Sequence, residues 1–147
     1  MTNFFNYIYD FNLLIIVILG LGLCLYKPSK LKNILFLFLT CSFMLFIFTS
    51  RYGIGFDYFN YYTLFNQCKN LSFIDILTFK GPIEPGFGLI LKLISFITTD
   101  IVIMYLILGI IAFLTLGFYV YKYSASPFIS IYLFVTFGFM FGLMNLF

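Results

Sequence analysis

The sequence predicts an all-α, polytopic integral membrane protein with four to five hydrophobic helices and an extracytoplasmic amphipathic helical segment. Three observations predict it. The chain of 147 residues is 63% hydrophobic and only 9% charged, with a mean hydropathy of +1.11, whereas a soluble domain needs about 25% charged residues to cover itself. Several uncharged runs approach the roughly 20 residues that a spanning helix requires. Three of the eight basic residues, Lys27, Lys30 and Lys32, stand together between two such runs, the usual mark of a cytoplasmic loop. The length suits a single transmembrane domain over residues 1–147.

The first apolar run covers Tyr7–Tyr26, with Asp10 and Asn12 at its start. No basic leader precedes it and no small-x-small site follows it, unlike a cleaved signal peptide. The lysine loop "KPSKLK" comes next and is expected in the cytoplasm. The second run, Asn33–Ser50, carries no charge and brings the chain to the outer face at Arg51.

The segment from about 51 to 85 is therefore expected outside. Asp57 can cap a helix that runs to about Asn70. Asn60, Thr63, Gln67 and Asn70 then share one face, and Tyr58, Tyr61, Tyr62, Phe65 and Cys68 form the opposite stripe. Ser72, with Asp75 three residues on, marks the start of a second short helix, which Gly81-Pro82 ends. Both helices are expected at the membrane interface, apolar side down.

Gly86–Thr99 is short for a span and carries Lys92 in its middle. Its length predicts a helix that dips into the membrane without crossing, which implies a polar cavity beside it. A crossing helix would make five spans and a dipping one four. Ile101–Tyr121 is the next span, and Pro127–Phe147, opening on a proline suited to the first helical position, is the last.

Composition also excludes. The chain has no histidine, so histidine-ligated metals and Ser-His or Cys-His catalysis are ruled out, and acid–base work falls to carboxylate, tyrosine or lysine. Its three cysteines lack metal-like spacing, and no metal or cofactor site is read. A net charge of +3, set by few and clustered basic residues, does not point to nucleic acid.

The chemistry-bearing residues each admit two readings. Arg51 is either an interfacial anchor or a fork for phosphate or carboxylate. Gly53 and Gly55 beside it let backbone N–H groups come close to a ligand. Asp57 is either a helix cap or a carboxylate that orients Arg51 or takes a proton. Glu84, in "GPIEPGFG" (81–88), is either a loop acid or a carboxylate held rigidly at the mouth of the dipping helix. Tyr58, Tyr61 and Tyr62 form an aromatic belt or stack on sugar rings.

"RYGIGFDYFNYY" after the second span, followed by "EPGFGLILK", resembles the EpsG family. These are bacterial membrane proteins of exopolysaccharide synthesis, related in role to Wzy-type O-antigen and capsule polymerases. The resemblance implies a multi-pass protein of the inner membrane and a glycosyltransferase-type polymerase acting on its outer face. Its substrate would be an oligosaccharide repeat carried on undecaprenyl diphosphate in the membrane lipid, and other polysaccharide-assembly proteins would be its partners. By the same resemblance, Arg51, Gly53, Gly55 and the tyrosines Tyr58, Tyr61 and Tyr62 would bind substrate, while Asp57 and Glu84 would orient groups or act as base. Members of the family are longer, with several more spans, so the chain is expected to be the N-terminal part of a polymerase and inactive alone. Two other classes stay open: a small transporter or flippase component using Arg51 and Lys92 as pathway charges, and a membrane assembly subunit with no chemistry.

Overall fold

The computed structural model describes residues 2–25, 29–50, 58–78 and 83–137, with residues 2–10, 24 and 25 as backbone alone. Every described element is helical. In chain order these are α1 (Thr2–Gly20), which runs into a π-helical turn at Leu21–Leu25, α2 (Lys30–Thr49), α3 (Tyr58–Asn70), α4 (Phe73–Leu77), α5 (Pro85–Ser95), α6 (Ile101–Tyr123) and α7 (Pro127–Thr136).

Two of the described helices, α2 and α6, are long and apolar enough to cross a membrane. Most of their surface is not covered by protein: Phe38 is 67% exposed and Leu114 69%. Contiguous exposed apolar surface on this scale marks a membrane or protein contact. Two threonine hydroxyls on these helices are satisfied within their own helix, as a low-dielectric surround demands. Thr40 Oγ1 donates to the Phe36 carbonyl at 2.8 Å, and Thr115 Oγ1 to that of Ile111 at 2.7 Å.

The first compact unit holds the chain up to Ile47 and the described residues from Ile110 onward. Within it α7 packs on α1 at a buried glycine, Gly20, where an added Cβ would overlap the Phe128 ring. Phe128 also meets Phe36 of α2 edge-on, with centroids 6.1 Å apart. Ser29 starts α2: its side-chain oxygen accepts from Lys32 N–H and its carbonyl from Asn33 N–H. Lys30 and Lys32 therefore stand in the first turn, the wrong end of the helix dipole for a cation. That cost of a few tenths of a kcal/mol is what fixing a lysine loop on one side of a membrane would demand.

The second unit runs from Phe48 to Gly109. Its core contains Phe65 and Cys68 of α3, Ile76 of α4, Leu91 and Ile94 of α5, and Met104 of α6, all buried. Ser72 caps α4 as its sequence predicts: Asp75 N–H donates to Ser72 Oγ at 3.1 Å, and that hydroxyl donates to the Asp75 carboxylate at 2.6 Å. Asp100 caps α6, accepting from Val102 N–H at 2.7 Å.

Two expectations change. The apolar face of α3 is not left for lipid, because α5 packs on it. Exposed apolar surface in this unit is carried instead by Ile74 and Leu77 of α4 and by Phe96 and Ile97 after α5. Helix α5 has 11 residues, about 16 Å at 1.5 Å per residue, roughly half a bilayer core. Lys92 consequently stands in its last turn, not at mid-helix. Helix α7 reaches its C-cap at Phe137, inside the run expected to extend to Phe147; residues 138–147 lie outside the described part.

Candidate functional site

Tyr58, Phe65 and Cys68 recur at spacings of seven and three, which puts them on one side of α3, and all three are buried. The other side is polar. Tyr62, Thr63, Asn66, Gln67 and Asn70 line an open cleft of about 220 Å³. Thr63 spends its proton on the Phe59 carbonyl at 3.0 Å. No hydrogen bond to a described residue occupies the amides of Asn66, Gln67 or Asn70. Each amide offers two donors and one acceptor, and Tyr62 adds an aromatic face, 47% exposed. This suits a ligand with many hydroxyls and a flat apolar side.

The sequence reading grouped Tyr62 with the apolar stripe and missed Asn66. Phe65 and Cys68 set the centre of the buried face, and Tyr62 lies on its rim, one turn before Asn66. The legible signal for Asn66 was the series 63, 66, 67, 70, which follows helical spacing.

The three tyrosines have separate surroundings. Tyr58 is buried, stacked on Tyr105 of α6 with centroids 5.7 Å apart. Tyr61 meets Phe87 of α5 edge-on at 6.1 Å and joins the two helices. Tyr62 alone of the three lines the cleft.

Glu84 is the N-cap residue of α5, exposed, with no side-chain hydrogen bond to the helix. Its carboxylate stands at the positive end of the helix dipole, where a negative charge is favoured. Pro85 follows at the first helical position and stiffens the entry. The two glycines of "EPGFG" differ. A Cβ on Gly88 would come within 3.0 Å of Ile76 Cγ2, whereas nothing lies within 4 Å of one on Gly86. Gly88 lets α5 approach α4; Gly86 leaves the surface behind Glu84 open.

Lys92 extends from α5 to the end of α3, donating to the Lys69 carbonyl at 2.6 Å. Its ammonium also lies 6.0 Å from the Phe73 ring centre and 5.5 Å from that of Phe96. A carbonyl in the last turn of a helix lacks an intrahelical partner, and a cation there is favoured by the dipole. Burial pushes the Cys68 thiol above its usual range, against the opposing pull of the Lys92 ammonium; it is a core side chain, not a nucleophile.

Arg51, Gly53, Gly55 and Asp57 lie outside the described residues. The structure thus brings together Tyr61, Tyr62 and the helix that carries Glu84 on one α3–α5 pair, and keeps Tyr58 beneath them.

Among known proteins, no curated protein and no solved structure matches the chain. The family model of the EpsG family matches residues 33–147. That match takes in most of α2, all of α3 to α7 and both motifs, "RYGIGFDYFNYY" and "EPGFGLILK", and on it the chain belongs to the EpsG family.

Proposed function

We propose that this is a multi-pass protein of the bacterial inner membrane that takes part in polymerising lipid-linked oligosaccharide repeats on the outer face. Family membership supports a membrane protein of polysaccharide biosynthesis. The single observation that carries the finer reading is the α3 cleft, where amides without described partners stand beside an exposed tyrosine. With the lysine loop in the cytoplasm, α2 delivers α3 to α5 to the outer side, and α5 is too short to return the chain.

In the proposed reaction, a sugar hydroxyl of the incoming repeat attacks the anomeric carbon of the growing chain. The new C–O bond forms as the bond from that carbon to the diphosphate breaks, and the lipid diphosphate leaves with the electron pair. The hydroxyl proton passes to a carboxylate, Glu84 or Asp57. Arg51 balances charge on the leaving diphosphate. Tyr62, Thr63, Asn66, Gln67 and Asn70 hold the saccharide. Lys92 is engaged at the end of α3, which removes one of the two charges a transport pathway would use.

The test is binding of a diphosphate-linked oligosaccharide to the protein in liposomes. Tyr62→Ala and Gln67→Ala should each weaken binding about ten-fold, the scale of one lost stacking or hydrogen-bonding contact, without changing the melting temperature. Unchanged binding in both variants overturns the assignment of the cleft.

A further inference from the structure

A second concave surface lies in the first unit. Helices α2 and α6 flank an open apolar groove of about 500 Å³, with Ile34, Cys41 and Leu45 on one wall and Ile110, Gly117 and Tyr121 on the other. The helices run antiparallel. Cys41 Sγ is 3.5 Å from the place of a Cβ on Gly117, and Phe36, nearer the start of α2, meets Phe128, just beyond the end of α6. The start of α2 and the end of α6 therefore share one end of the groove.

That end is cationic. Lys30 precedes Ile34 by a turn, and Lys122 follows Tyr121. The Lys122 ammonium lies 5.6 Å from the ring centre of Phe118, which itself lines the groove. Lys30 and Lys122 are exposed. From Ile34 to Leu45 the groove measures about 16 Å along α2. One leaflet of a hydrocarbon core is about 15 Å deep, so the groove has the length of one acyl chain and ends where a headgroup would lie.

We infer that this groove is a binding site for an anionic phospholipid of the leaflet that faces the lysine loop. One acyl chain fills the channel between α2 and α6, and the headgroup phosphate meets Lys30 and Lys122. Charge complementarity selects this occupant: an uncharged helix of a partner, or of a second copy, would fill the groove and gain nothing from the two lysines at its mouth. A zwitterionic lipid fits the channel but gains less at the mouth, since each basic residue near an anionic surface contributes about five-fold in affinity. The inference does not depend on the polymerase reading.

The test is native mass spectrometry of the purified protein released from nanodiscs of equal phosphatidylglycerol and phosphatidylcholine with matched oleoyl chains. The expected result is retained phosphatidylglycerol, in at least ten-fold excess over phosphatidylcholine. The double variant Lys30→Gln, Lys122→Gln should lose most of that preference. Gly117→Leu, which fills the channel, should lower retention of both lipids. The preference of the wild-type protein should also fall as salt is raised, a readout that needs no variant. Equal retention of both lipids by the wild-type protein, unaltered retention in Gly117→Leu, or a lipid-free dimer closed over α2 and α6 overturns the inference.

Discussion

Lys92 and Lys69 are joined through the chain end of one helix and the side chain of another: the Lys92 ammonium donates to the Lys69 carbonyl at 2.6 Å. This bond explains a lysine in an apolar helix without invoking a transport path. Lys92→Met should lower the stability of the α3–α5 pair by about 1 kcal/mol, the scale of a charged hydrogen bond at a partly exposed helix end. Lys92→Arg should retain part of it. Thermal melts of the two variants in detergent check this, and a melt for Lys92→Met equal to wild type would return Lys92 to the class of free charges.

Cys68 should resist thiol reagents in intact cells, because it is buried and burial raises its pKa. An exposed reporter is needed for topology. Asn70→Cys should react with an impermeant maleimide from outside, and Ser29→Cys only after permeabilisation. The sign of the pKa shift also predicts a pH effect. A raised folded pKa means that stability is full below the thiol's ordinary value of 9.0 and falls as pH rises beyond it, when the unfolded chain ionises first. Cys68 labelling should therefore increase with alkaline pH faster than that of a surface cysteine.

The two glycines of α5 should separate cleanly. Gly88→Val forces branched carbons toward Ile76 and should cost about 1–3 kcal/mol. Gly86→Ala sits in open space within a helix and should gain up to about 1 kcal/mol. Urea or thermal titration of both variants decides. A neutral Gly88→Val would mean that α4 yields readily and that the close approach carries no stability.

A reporter fused after Asp100 should read on the same side of the membrane as one inserted after Asn70. The 11 residues of α5 provide about half the length needed to cross. Opposite readings at the two sites would make α5 a tilted span in a locally thinned bilayer and would put the lysine of α6 on the outer side.

Tyr58 and Tyr62, four residues apart, should behave differently when truncated. Tyr58→Ala removes a buried ring stacked on Tyr105 and should cost about 3–5 kcal/mol, seen as low accumulation. Tyr62→Ala should accumulate normally and lose binding of a diphosphate-linked oligosaccharide. Equal accumulation and equal loss for both would remove the distinction between core and cleft.

Local signals were the most legible in the sequence. The Ser72–Asp75 cap, the end of α3 at Asn70 and the proline start of α7 each depend on a few adjacent residues, and each is found in place. Longer-range facts were not legible. Periodicity shows that Phe65 and Cys68 are covered, but not whether by lipid or by α5, since both are apolar. Nor could the spacing tell that Lys92 reaches Lys69, 23 residues earlier, because that contact depends on how α5 folds back. Of the proposed chemistry, Glu84 and Tyr62 have a described setting, whereas Arg51 and Asp57 still rest on sequence alone.

The contact between Gly20 and Phe128 has a consequence for how the chain is made. The bare surface of α1 at Gly20 is filled by a ring on a helix that leaves the ribosome about 100 residues later, or about 5–20 s at ordinary rates of synthesis. During that interval α1 lacks its α7 neighbour, and the first unit has a gap where α7 belongs. Completion of this unit is therefore timed by translation, and a chain interrupted after α6 would leave α1 presenting an open glycine notch to whatever helix comes near.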